Sequence, residues 1–286
     1  MLSGFAGRPH IFAQIIIPFM AKKYSVLVTR IMDSIVKVWF LAVWIGQMLF
    51  AYYILMLYWK STMLGNFEKW NTATPNFYIK GDLVGNTIFG LHVALAAIIT
   101  ILGPMQLISQ LRRYAPIFHR VSGRIYIFSA FIISIAGLYL TWVKGSVGGP
   151  VGSVVISMNA LIILGCAFLT IKNALLRNID NHQRWAVHLF LAISGVWLFR
   201  VFLMLWLAIF KAPVGFDPET FTGPFLNALS VFVYVFPQLV VFFYFQAKKS
   251  RTPLIKAVFS ILLLFITIGI VIGTVAATLG MWLPRL

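Results

Sequence analysis

Histidine and arginine are the residue types in this chain best able to hold a ligand. Its six carboxylates, Asp33, Glu68, Asp82, Asp180, Asp217 and Glu219, all fall outside the long apolar runs. Proton-coupled transporters carry an acid inside the membrane, and glycosidases need two facing carboxylates, so both classes lose weight. A Ser-His-Asp triad lacks its buried acid, and no glycine-rich phosphate loop ends in Lys-Ser/Thr. Cys166 is the single cysteine, which rules out an intrachain disulfide and a cysteine metal cage. What remains falls into two groups. One is the stretch His119-Arg120-Val121-Ser122-Gly123-Arg124-Ile125-Tyr126 together with His182, Arg184, Trp185 and His188. The other is His92, Tyr139, Asn159 and Arg200, each inside an apolar run.

The elements that must position them are membrane spans. Of 286 residues, 61% are hydrophobic and 10% charged, against about 45–50% and about 25% in soluble domains. Seven apolar runs, at 38–59, 87–108, 125–143, 151–171, 186–210, 225–246 and 255–279, each approach the ~20 residues that cross a bilayer. The expected fold is all-α, a polytopic bundle of about seven transmembrane helices. Residues 24–37 place Arg30, Asp33 and Lys37 on one helical face and Leu27, Val28, Ile31 and Ile35 on the other, which predicts an N-terminal interfacial helix on the cytoplasmic leaflet. Residues 1–37 then form a cytoplasmic segment and 38–286 the transmembrane domain. Arg8 precedes the apolar run at 11–20, which Lys22 and Lys23 follow without a small-residue cleavage site, so no cleaved signal peptide is expected.

Charge sets the orientation. The net charge of +17 would suggest nucleic acid in a soluble protein. Here sixteen Lys and Arg lie in the N-terminal segment and the second, fourth and sixth connections. Six, Lys60, Lys69, Lys80, Lys144, Lys211 and Arg285, lie on the other side, and Arg200 alone is in a span. The positive-inside rule puts the N-terminus in the cytoplasm and the C-terminus outside a bacterial inner membrane, with the lipid bilayer and no nucleic acid as partner. Counting residues places His92 ~24 Å and Arg200 ~21 Å from the cytoplasmic side. Tyr139 and Asn159 reach a similar height, so one outer polar layer of four helices is expected. The last span carries Gly269, Gly273, Ala276 and Gly280, a ridge of small residues suited to close helix packing. Residues 145–152 form a glycine-rich turn between the third and fourth spans.

The cytoplasmic group sits at helix starts. Pro116 suits a first helical turn, and His119, Gly123 and Tyr126 share a face while Arg120 and Arg124 share another. Asp180 or Asn181 is placed to cap the fifth helix ahead of His182. Two helix N-termini among basic residues suit an anion, whether a lipid or nucleotide phosphate or haem propionates. Arginine and tryptophan at this level also follow from membrane anchoring whatever the function.

Gly103-Pro104-Met105-Gln106 after a span with His92, then His119 to Tyr126, then His182-x-x-Trp185 followed by Arg200, resembles a bacterial family of predicted membrane proteins catalogued as a domain of unknown function. The similarity covers about residues 85–245. The family pattern has arginine where this chain has His188. The resemblance implies no activity, but it singles out His92, His119, Arg120, Arg124, His182 and Arg200 as residues to test.

The leading specific reading is a single-haem b-type electron-transfer protein that works with a quinone or a redox partner. His119 with His182 or His188 would be the ligands and Arg120 and Arg124 the propionate partners. His182 and His188 are six residues apart and cannot form the axial pair from one straight helix. The alternative is a binding or transport protein for an anionic small molecule or lipid headgroup, using Arg200 and His92 outside and Arg120 and Arg124 inside. A third is a structural or assembly subunit without a ligand. No metal site is expected, because three histidines at different depths do not converge.

Overall fold

The computed structural model describes residues 9–146 and 148–286, with side chains from Tyr24 onward apart from Val147. Arg8 therefore lies outside the described residues, as do the side chains of His10, Lys22 and Lys23. Ten α-helices make up nearly all of it. They are α1 (Pro9–Ile54), α2 (Lys60–Met63), α3 (Leu83–Leu107), α4 (Ser109–Tyr114), α5 (Pro116–Val143), α6 (Gly149–Leu175), α7 (Ile179–Ile193), α8 (Gly195–Phe210), α9 (Pro224–Lys249) and α10 (Pro253–Ala277). Prolines open α5, α6, α9 and α10, where a missing N–H costs nothing. Six helical segments are long and apolar enough to cross a bilayer, and α7 with α8 forms a bent seventh. The all-α polytopic expectation therefore holds.

The spans close a ring. Starting from α1, the packed neighbours run α3, α5, α6, α7, α9, α8 and α10, and α10 returns to α1. Leu41, Ile45, Phe128, Leu161, Phe168, Phe242 and Phe265 point outward and exposed, as lipid-facing side chains must. Serine and threonine hydroxyls inside the helices mostly bond the carbonyl four residues back, as Ser134 does to Ala130, Thr170 to Cys166 and Ser230 to Leu226. In a medium without water this keeps the polar atom satisfied.

Three features differ from the sequence expectation. Residues 24–37 are not set off as a separate interfacial helix, because α1 runs through them unbroken. Val28 and Met32 are buried there, Met32 in one cluster with Val240, Ala247, Phe259 and Leu263 of α9 and α10. Leu27 and Ile31 of the expected apolar face stay exposed. Thr29 also accepts a 2.9 Å hydrogen bond from Lys256 Nζ.

The fifth span is the second difference, since it bends by 52° between α7 and α8. Ser194 sits at the break, bonding Phe190 O and accepting from Gln47 Nε2 at 2.7 Å. Gly195 follows it, and the Tyr234 ring fills the space a side chain there would need. A serine–glycine pair with a wedged aromatic is a recognised cause of helix kinks.

The third is a pair of π-helical turns, Leu55–Trp59 continuing α1 and Thr278–Trp282 continuing α10. Wide turns of this kind occur often where helices build sites.

Candidate intramembrane binding site

The cytoplasmic group is brought together only in part. The inner face of α5 carries His119, Ser122, Gly123 and Tyr126 toward α3. Gln106 Nε2 donates to Ser122 Oγ at 2.7 Å, and Ser122 in turn bonds Phe118 O. A Cβ on Gly123 would stand 3.0 Å from Gln106 Oε1, and one on Gly103 would stand 3.2 Å from Tyr126 and 3.1 Å from Phe190. These glycines make room for the glutamine and for two aromatic rings. Arg112 and His182 lie near His119. His182 Nδ1 donates to Thr170 O at 3.0 Å, which turns its other ring nitrogen away from α6.

Other expectations part company here. Arg120 and Arg124 are exposed on a different face of α5 from His119, and Arg120 Nε reaches only Pro116 O. They do not line the space beside His119 as propionate partners would. His188 is tied to α9 instead, its Nδ1 donating to Gln238 Oε1 at 2.7 Å and Gln238 Nε2 donating back to His188 O at 3.3 Å. The cap of α7 is Asn178, whose side chain accepts from Asn181 N, rather than Asp180 or Asn181. The turn Leu176–Arg177 leaves Asn178 as the last non-helical residue, the position from which a side chain reaches the third amide of the helix.

The four outer residues are held separately, with no hydrogen bond joining them among the described residues. His92 faces α5, its Cε1 3.3 Å from where a Cβ on Gly137 would lie, and its Nδ1 has no partner. Asn159 Nδ2 donates to Ala192 O at 3.2 Å, next to the Ser194 break. Tyr139 packs against the main apolar core. Equal depth brings side chains together only when their helices also turn the right faces inward.

Arg200 has its own surroundings. Its guanidinium lies 5.5 Å from the Phe50 ring centroid, Nη1 donates to Val196 O at 3.1 Å, and its charge is felt at Tyr58 and Tyr234. Among the described residues the ion pair is Lys144–Asp82, so no carboxylate balances Arg200. A cation over an aromatic face gains about 0.5–2 kcal/mol, whereas insertion of an arginine at the middle of a span costs at least about 2.5 kcal/mol. The bend lessens that cost. If α8 takes the whole tilt, its rise along the membrane normal drops from ~1.5 to ~0.9 Å per residue, and Arg200 lies ~9 Å rather than ~15 Å below Phe210.

Aromatic and polar side chains that sequence reasoning did not single out complete the site. Phe50, Tyr53 and Trp282 cluster, with the Trp282 ring 5.4 Å from Phe50 and 6.1 Å from Tyr53. All three are buried, and the Tyr53 hydroxyl and Trp282 Nε1 have no hydrogen-bond partner. Trp282 belongs to one π-turn and Tyr58 to the other. About one helical turn away, around the Ser194 break, Gln47 Oε1, Trp197 Nε1 and Thr274 Oγ1 are likewise buried and unpartnered. Gln47 was the detectable signal, a glutamine in the middle of an apolar run.

The bundle ends that carry Tyr58, Asp82 and Lys144 are closed by a cap. Tyr58, Phe67, Trp70, Phe77, Tyr78 and Phe89 pack edge to face, stacked or tilted. Lys144 Nζ ties this cap to the bundle through Asp82 at 2.9 Å and the Phe77 carbonyl. Lys144 and then the Gly85 amide hold the Asp82 carboxyl below its usual range.

No three His, Cys, Asp or Glu side chains converge among the described residues. The arrangement offers hydrogen-bond donors and one unbalanced cation within the apolar spans, which suits an anion. No curated protein and no solved structure matches the chain. Residues 89–220, which run from within α3 past the end of α8 and include His92, His119, His182 and Arg200, match the family described as predicted membrane protein (DUF2306), a description that carries membrane location and no activity.

Proposed function

We propose that this multi-pass membrane protein binds or carries an anionic small molecule or lipid headgroup, with Arg200 as the anion's partner. The observation that carries the reading is the half-buried guanidinium held by one carbonyl and one ring, with no acid beside it. The Tyr53 hydroxyl and the Trp282 indole, whose rings pack with Phe50, have no hydrogen-bond partner. The charge distribution supports a bacterial plasma membrane with the N-terminus inside and the C-terminus outside.

The test uses the full chain purified in detergent, with butyrate and inorganic phosphate as probes and thermal unfolding as readout. The wild type is stabilised by at least one of them. Arg200→Lys loses nearly as much of that stabilisation as Arg200→Ala, because an ammonium does not reproduce the planar fork of a guanidinium. Full binding by Arg200→Lys refutes the bidentate site, and full binding by Arg200→Ala refutes the role of Arg200.

A single bis-histidine haem between His119 and His182, exchanging electrons with a quinone or a redox partner, is the second reading. It is favoured by the contact of His182 Nδ1 with Thr170 O, which fixes the ring and leaves Nε2 as the ligating nitrogen. Haem would supply one-electron chemistry there. The outward placement of Arg120 and Arg124 weighs against it.

A further inference from the structure

The break in the fifth span holds a second set of polar atoms that the Arg200 reading does not use. Gln47 is 3% exposed, Trp197 2% and Thr274 6%, and one polar atom of each is unpartnered. Thr274 is the informative one. On α10 Ser260 and Thr267, and in the turn that continues it Thr278, all bond the carbonyl four residues back, at 2.7–2.8 Å. Thr274 does not bond Ile270 and faces α1 instead. Gly46 supplies the space between them, since a Cβ there would stand 3.1 Å from Thr274 Oγ1 and 2.6 Å from Trp197 Cζ2. A hydroxyl that forgoes its own helix carbonyl, beside an unused indole N–H and an unused amide oxygen, lacks a structural reason to be polar.

We propose that Gln47, Trp197 and Thr274 receive an uncharged hydroxyl group of the molecule whose anionic end Arg200 holds. The proposal rests on the Arg200 reading and names its ligand class, a hydroxylated monocarboxylate. A hydroxyl both donates and accepts, and the set offers an acceptor in Gln47 Oε1, a donor in Trp197 Nε1 and either in Thr274 Oγ1. One guanidinium balances one charge, and a monoanion is less costly to desolvate than a dianion. Trp197 precedes Arg200 by three residues, as Gln47 precedes Phe50, so hydroxyl and carboxylate are separated by ~5 Å along the helices. The three atoms are sealed from solvent here, and the Gln47–Ser194 bond lies beside them at the bend.

The experiment compares butyrate with 4-hydroxybutyrate on the full chain in detergent, reading the unfolding midpoint against ligand concentration. The wild type prefers 4-hydroxybutyrate by about tenfold, the worth of one well-made hydrogen bond. Thr274→Val keeps butyrate affinity, loses the preference, and has a ligand-free midpoint no lower than wild type, because it removes a polar atom that had no partner. Thr274→Ser keeps the preference. A wild type without preference, or Thr274→Val that retains it, overturns the proposal while Arg200-dependent butyrate binding leaves the parent reading standing. A lower ligand-free midpoint in Thr274→Val also overturns it, since the hydroxyl would then be bonded within the protein. If neither carboxylate stabilises the wild type, the proposed ligand class falls, and if phosphate also fails, so does the Arg200 reading.

Discussion

The contact between α8 and α10 holds Arg200 where it is, and Gly273→Ala perturbs it at one point. A Cβ on Gly273 would fall 2.8 Å from Val201 Cγ1 and closer still to the Val201 carbonyl oxygen. Backbone cannot rotate aside as a side chain can, so the helices must separate by several tenths of an ångström. Overpacking of this kind costs about 1–3 kcal/mol, and the helix propensity gained by alanine over glycine returns about 1 kcal/mol. Gly269 is one turn away on the same helix, and its Cβ would meet Leu205 Cδ2 at 3.4 Å, an ordinary contact. Gly269→Ala should therefore be neutral or stabilising by up to about 1 kcal/mol. At about 2–4 °C per kcal/mol, the two variants should differ by about 5 °C in unfolding midpoint, Gly273→Ala being the lower. Gly273→Ala should also weaken anion binding, because Val201 adjoins Arg200 in sequence. Thermal unfolding of the detergent-purified chain checks the first expectation and probe titration the second. Equal midpoints for the two variants would refute the argument that this ridge packs against α8 with Gly273 at the point of closest approach.

Two further outcomes follow from the cap and from the cytoplasmic histidines. Asp82 is held below its usual carboxylate range, so its contribution is complete above about pH 3.9 and is lost as pH falls through its lower folded value. Asp82→Asn should speed amide exchange in residues 77–90 at neutral pH, while the wild type opens there only under acid. Equal exchange at pH 7 refutes the tether. For the second reading, the purified chain should show a Soret band that His119→Ala or His182→Ala removes and His10→Ala leaves intact, and a colourless wild type refutes it.

Class and span count were legible in the residues themselves, because the length of an apolar run is a one-dimensional property that the bilayer thickness converts directly into structure. The run at 87–108 became α3 (Leu83–Leu107), and the one at 125–143 became the C-terminal part of α5, which starts at Pro116. Position along a helix was legible too, as residue number, which puts His119 near the start of α5 and Arg200 within α8. Azimuth was not. His92 and Arg200 were expected to share a layer, yet the ring of helices turns His92 toward Gly137 and Arg200 toward Phe50. Which faces meet depends on how seven helices close, a matter no single helix encodes. The break at Ser194 needed Gln47, 147 residues away, and Tyr234 from α9. The unbroken α1 needed the packing of Met32 against α9 and α10. Local sequence determined where each apolar helix lies and which residues it carries along its length. Long-range packing alone decided which of them touch, because contact between helices is set by crossing angles and steric fit summed over the whole ring.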